Sequence, residues 1–173
     1  MGKHRIWVQI FILAALVIIG GMAIGQSLFA GNALPREGAK APGFSLHAMN
    51  GETVSLDDLK GKTVVVNFWG TFCPPCKEEM PAMQNQYKQW SDRGVEFLAV
   101  NLGESPVTVK SFVNRMELTF PILYDPNLAI RDKYAVNQYP TTFFIDPSGK
   151  IRQVKIGKMD EAFIEQTLKG MQL

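Results

Sequence analysis

The hydrophobic pattern changes character twice along the chain. Residues 6–25 read IWVQIFILAALVIIGGMAIG, apolar all the way round a helical wheel, with Gln9 the one strongly polar side chain. About 20 such residues cross a bilayer as a helix, whereas a core helix of that length shows a polar face. Residues 26–42 (QSLFAGNALPREGAKAP) have no period and are rich in Gly, Ala and Pro, which predicts a linker. Beyond them, short strand-like and helix-like runs alternate. Residues 44–46 and 53–56 flank Asn50-Gly51, a type I′ hairpin signal. Residues 62–69 (KTVVVNFW) form a continuous β-branched and aromatic run, the mark of a strand buried on both faces.

A helix is predicted from Pro75 to about Trp90, because Cys76, Glu79, Met80, Met83, Tyr87 and Trp90 share one face of the wheel. Gly94 ends it, and residues 95–101 (VEFLAVN) read as the next strand. Ser105-Pro106 supplies an N-cap and an N1 proline for a helix reaching about Met116. A short strand at 120–123 and a helix at 127–134 follow. Residues 141–145 and 151–156 read as an antiparallel hairpin, and Asp160 is placed to cap a closing helix running to about Lys169. Strands alternating with helices predict an α/β fold with a mixed sheet over residues 43–173.

Lys3, His4 and Arg5 precede the apolar run, and the next cation is Arg36. The positive-inside rule then puts the N-terminus in the cytoplasm and the domain outside. Residues 1–25 are thus expected to be a cytoplasmic tip and transmembrane signal-anchor of a single-pass type II protein. A cleaved signal peptide is the competing reading, with Ala23-Ile24-Gly25 as small residues, but the run exceeds the usual h-region of about 7–15 residues. A formal charge of +2 with no basic stripe points away from nucleic acid.

Both cysteines lie in the string Cys73-Pro74-Pro75-Cys76. A bridge across two residues closes almost no loop entropy, so they cannot staple a fold. Redox work or metal binding remains. A zinc site normally takes four ligands; no second cysteine pair exists, and no histidine follows His47. The pair sits where a buried strand meets the first turn of a helix. Free N–H groups and the positive helix end there stabilise a thiolate at Cys73, the species that attacks disulfides. Cys76, a turn further in, is placed to resolve the mixed disulfide, and Pro74 and Pro75 stiffen the loop. Glu79 falls on the buried face, where a desolvated carboxyl keeps its proton to higher pH and becomes a candidate acid/base for the cysteines. Phe72, just before the pair, is a candidate for the substrate surface.

VVVNFWGTFCPPCKEEMPAM and QYPTTFFIDPSGKI resemble the thioredoxin superfamily, and more narrowly the ResA-type extracytoplasmic thiol-disulfide oxidoreductases of Gram-positive bacteria. The resemblance covers nearly the whole chain. It implies a thioredoxin-like fold with an added N-terminal β-hairpin, an inserted βα element and a membrane anchor. By the same resemblance the protein reduces the Cys-x-x-Cys-His disulfide of apocytochrome c, with electrons from a CcdA-type membrane carrier and no cofactor beyond the cysteine pair. Pro140 is implied to be a cis-proline facing the cysteines, and Tyr139, Phe72 and Pro74 are grouped with it as candidate substrate-binding residues. Asn67 stands where thioredoxin has a buried aspartate, and Glu79 fills the proton-handling role that this vacates. Pro74 replaces the Glu of the ResA pattern. With no positive charge between the cysteines, a reducing couple is expected, nearer about −270 mV than −120 mV. Three alternatives compete. One is a sporulation-type thiol reductase, and another is a non-enzymatic metal-delivery module. The third is a peroxidase, which shares an opening like Ala41-Pro42-Gly43-Phe44 but requires Thr and Pro where this chain has Gly70 and Val66.

Overall fold

The computed structural model describes residues 34–171 together with Trp7, Ile12 and Leu13. Apart from those three, residues 1–33 lie outside the described residues, and with them the expected membrane span. Among the described residues no helix is long and apolar enough to cross a membrane. The chain divides into units of residues 1–33 and 34–173, and the second carries the architecture that follows.

Strand β1 (Ser45–His47) pairs antiparallel with β2 (Thr53–Ser55). Then come β3 (Thr63–Trp69), α1 (Pro74–Trp90), β4 (Val95–Leu102), α2 (Pro106–Arg115), β5 (Ile122–Asp125), α3 (Ala129–Lys133), β6 (Thr141–Ile145), β7 (Ile151–Ile156) and α4 (Glu161–Met171). The main sheet has five strands in the order β5-β4-β3-β6-β7. The β5-β4-β3 pairs are parallel and the β3-β6-β7 pairs antiparallel, so the sheet is mixed as expected.

β3 is central and every one of its residues is buried. Its side chains divide by the two-residue period of a strand. Val65 and Trp69 join Met80 and Met83 of α1, Phe112 of α2 and Ile164 and Leu168 of α4 in one apolar cluster. Val64, Val66 and Phe68 join Phe44, Leu98, Tyr134 and Phe143 in the other. Burial on both faces is why this segment reads as an unbroken apolar run rather than an alternating one.

The caps predicted at Ser105 and Asp160 are made. Ser105 Oγ accepts from Thr108 N at 3.2 Å, and Asp160 Oδ1 accepts from Phe163 N at 2.8 Å. Other details differ from the sequence expectation. Gly51 takes a positive φ of 91° while Asn50 does not, so the hairpin turn is not type I′, which needs both. Instead Gly51 N bonds back to Ala48 O and Ala48 N to Glu52 O, and Asn50 Oδ1 accepts from Glu52 N. Strand β5 begins at Ile122, not 120, because the Pro121 nitrogen has no hydrogen to give a ladder. Leu128 adopts a left-handed φ of 58°, which delays the next helix to Ala129; the buried Asp125 carboxylate caps it at Ile130 N and Arg131 N. Part of the expected linker is also drawn into the fold. Gly38 N donates to Ile151 O, Ala41 N to Gly149 O and Ile151 N to Ala39 O, and Ala41 is buried.

Helix α4 holds α1 in place through Ile164, which has no solvent exposure. Ile164→Ala is expected to cost about 2–5 kcal/mol, read as a lowered urea midpoint at pH 7. A loss well under about 1 kcal/mol would contradict this packing.

Candidate active site

The site forms where β3 gives way to α1. Gly70, Thr71 and Phe72 carry the chain off the sheet, and Cys73, in extended conformation (φ −99°, ψ 107°), is the N-cap of α1. Its sulfur accepts from Cys76 N at 3.3 Å. Pro74 and Pro75 occupy the first helical positions and have no N–H to offer, so Cys76 supplies the first-turn donor. Cys73 and Cys76 are joined as a disulfide with Cα atoms 5.3 Å apart. Cys73 keeps 7% exposure and Cys76 none. Once the bond is reduced, this placement favours the thiolate form of the outer sulfur through the helix dipole and that donor.

Glu79 lies one turn beyond Cys76 on the same face of α1 and has no solvent exposure. Asn67 Nδ2 donates to its Oε1 at 2.7 Å, and Met159 N donates to its Oε2 at 3.0 Å. Burial pushes its carboxyl up to about 7, and those two hydrogen bonds pull the other way. The neighbouring Glu78 faces out instead and pairs with Lys158 at 2.6 Å. The wheel therefore separates the two acids correctly.

The Tyr139–Pro140 peptide is cis, as the resemblance implies. Phe68 pairs with Thr141 in the β3–β6 register, so one step further the chain reaches Pro140, at the sheet end where α1 begins. The Pro140 carbonyl accepts from Gly157 N at 2.8 Å. Phe72 is 59% exposed, and its ring meets Tyr139 edge-on with centroids 6.2 Å apart. Pro74 is the first residue of α1. The structure thus gathers Cys73, Cys76, Pro74, Phe72, Tyr139 and Pro140 at one end of the sheet, with Glu79 beneath.

Three supports escape the sequence reading. Glu104 grips the loop before Cys73: its Oε2 accepts from Thr71 N at 2.7 Å and its Oε1 from Thr71 Oγ1 at 2.5 Å. Asn101 Nδ2 donates to the same carboxylate at 2.8 Å. Nothing local signals this, because Glu104 is 33 residues from Thr71. Met159 acts through its backbone, which sequence does not reveal. Gly70 leaves room for the Phe72 ring where it lies, since a Cβ there would come within 2.3 Å of it. A glycine immediately after a buried strand was the available signal.

A carboxyl near 7 in the folded state, against 4.5 ordinarily, makes the native protein bind one more proton between those values. Stability from this group is full below about pH 4.5 and declines as pH rises through 7, by about 3 kcal/mol. Glu79→Gln should remove that part of the slope, measured as urea midpoints from pH 4 to 8. Parallel curves for the two proteins would show that Glu79 is not a perturbed acid.

The sequence profile of the AhpC/TSA family matches residues 38–154. The chain is 44% identical to the thiol-disulfide oxidoreductase ResA of Bacillus subtilis (strain 168), over 94% of this chain and 90% of that protein. It is 40% identical to the ResA of Halalkalibacterium halodurans, over 95% and 93% of the two chains. Among solved structures, a thiol:disulfide interchange protein of the thioredoxin family from Chlorobium tepidum superposes with a TM-score of 0.71 at 31% identity, covering 82% of this chain and 99% of that one. StoA from Bacillus subtilis gives 0.66 at 30% identity, covering 78% and 98%. The chain belongs to the ResA-type thiol-disulfide oxidoreductases, thioredoxin-like enzymes of the AhpC/TSA family.

Proposed function

We propose that this enzyme reduces disulfides outside the cytoplasm, that its substrate is the haem-attachment Cys-x-x-Cys-His disulfide of apocytochrome c, and that a CcdA-type membrane carrier re-reduces it. Residues 1–25 tether it to the cell membrane, with the catalytic domain on the outer side. The observation carrying the mechanism is the Cys73 sulfur at the α1 N-cap, above a buried Glu79 on the same helix face.

The steps follow from those positions. The Cys73 thiolate attacks one sulfur of the substrate disulfide. A Cys73–substrate S–S bond forms as the substrate's own bond breaks, and one substrate thiolate leaves. Glu79 takes the proton from the Cys76 thiol, whose thiolate attacks Cys73 Sγ. The Cys73–Cys76 bond forms and the second substrate thiolate leaves. Two electrons pass to the substrate; one leaving thiolate takes the proton held by Glu79, and the other takes one from solvent. The carrier then returns two electrons as a dithiol.

Substrate recognition is assigned to the surface around the sulfur. Exposed Phe72, braced by Tyr139, offers an apolar contact. Backbone adjoining Pro140, whose own carbonyl is taken by Gly157 N, is suited to pair with an extended segment, the usual way a peptide adds to a sheet edge. Pro74 brings no charge beside Cys73, which suits a reductant better than an oxidant.

Full-length reduced enzyme should reduce an oxidised apocytochrome c Cys-x-x-Cys-His peptide, followed by thiol quantification. Cys73→Ser should abolish the reaction. Cys76→Ser should accumulate a mixed disulfide through Cys73, visible by mass spectrometry. Glu79→Gln should slow exchange by about 10²-fold. An active Cys73→Ser variant would refute the mechanism. Unchanged cytochrome c content after deletion from the host would refute the substrate.

A further inference from the structure

Asn67 lies in the middle of β3, fully buried, in register with Ala99 of β4 and Thr142 of β6. Its Nδ2 donates to Glu79 Oε1 at 2.7 Å and to Thr142 Oγ1 at 2.9 Å. Its Oδ1 is buried with no hydrogen-bond partner. Buried polar atoms are nearly always paired, and a bare one calls for an explanation. An apolar side chain of similar volume would leave no acceptor bare. Here both amide hydrogens are committed to named acceptors at the expense of the amide's own oxygen. Turning the amide round would set Oδ1 against a carboxylate oxygen, two acceptors with no proton between them. The orientation present is the one an ionised Glu79 demands.

We propose that Asn67 is a positioning residue for Glu79: its amide, itself oriented by Thr142, fixes the carboxyl group beneath the cysteine pair and supports the ionised form that takes the Cys76 proton. This rests on the proton-handling part assigned to Glu79 above. The geometry makes the support specific. Met159 N–H holds Oε2, so Asn67 is the partner that holds Oε1. Thr142 stands two residues after Pro140, so the chain Thr142–Asn67–Glu79 ties the carboxyl to the strand that opens at the cis-proline.

The groups facing Glu79 leave few rival influences. On its own helix, Cys73 and Cys76 are bonded to each other and Glu78 faces Lys158. From β3 the facing group is Asn67, with Thr142 of β6 behind it, and from the segment before α4 it is the Met159 N–H; none of these titrates. Lys158, adjacent in that segment, turns to Glu78. Desolvation and two hydrogen bonds therefore set the proton affinity of this acid, and one of those bonds is Asn67's.

The test follows the Glu79 carboxyl carbon by ¹³C NMR in full-length, glutamate-labelled enzyme in detergent, with the Cys73–Cys76 disulfide kept oxidised. The unaltered chain should titrate near the value of about 7 given by burial. Asn67→Leu should raise that midpoint by about one to two pH units, the loss of one hydrogen bond to a charged group. The pH profile of disulfide exchange should move with it. In a Glu79→Gln background, Asn67→Leu should add no further displacement, since a residue acting through Glu79 has nothing left to act on. An unmoved carboxyl midpoint, or a second displacement in the double variant, overturns the proposal. If Asn67→Leu does not fold, the Asn67 amide resonances of the unaltered chain decide: they should titrate with the Glu79 midpoint, and a flat response overturns the proposal. The carboxyl titration is read without any substrate, so its outcome stands apart from whether apocytochrome c is the right one.

Discussion

A helix cannot satisfy the N–H groups of its own first turn, and everything at this site follows from what fills that gap. Here the cap is a sulfur. Two prolines remove the donors of the first helical positions, and the donor at Cys76 turns back onto Cys73 Sγ. A carboxylate or hydroxyl cap would stabilise the helix and do no more. A thiol there becomes a thiolate more readily, because the charge it gains is met by a donor and the positive end of a 17-residue helix. The rest of the fold anchors that junction: β3 is buried on every residue, and the Glu104 carboxylate accepts from Thr71 N and Oγ1 in the loop before Cys73.

A second constraint complements the first. The inner sulfur is buried, so its proton has no route through water and needs a base in the protein. Glu79 is suited to that because, among the described residues, no cation acts on it to keep it permanently ionised. Desolvation raises it, two donors restrain it, and it settles near neutrality, where a proton can go either way. In thioredoxin-like chains with a buried aspartate on the central strand, the acid comes from the sheet. In this chain the sheet supplies Asn67, which cannot titrate but can hold an acid that comes from the helix.

Much of this was legible in the sequence because it is periodic or local. The unbroken run at Val64, Val65 and Val66 announced a strand buried on both sides, and the wheel placed Glu79 inward and Glu78 outward. Ser105 and Asp160 advertised their caps. What was not legible depends on distant partners or on backbone. The Asn50-Gly51 pair promised a two-residue turn, yet a wider one formed with only Gly51 left-handed. Glu104 and Met159 meet the site through chain reversals that no local pattern encodes. Residues 36–41 looked like linker because edge pairing with the segment around Gly149 and Ile151 uses main-chain atoms, which composition does not report.

The central claim is that the two cysteines differ because one caps a helix and the other is buried beneath it. Site-resolved alkylation of the freshly reduced enzyme, quantified by mass spectrometry across a pH series, measures this directly. The account predicts that Cys73 is modified first, with a midpoint below the free-thiol value of about 8.5, and that Cys76 resists. Equal rates at both sulfurs, or faster modification of Cys76, would contradict it.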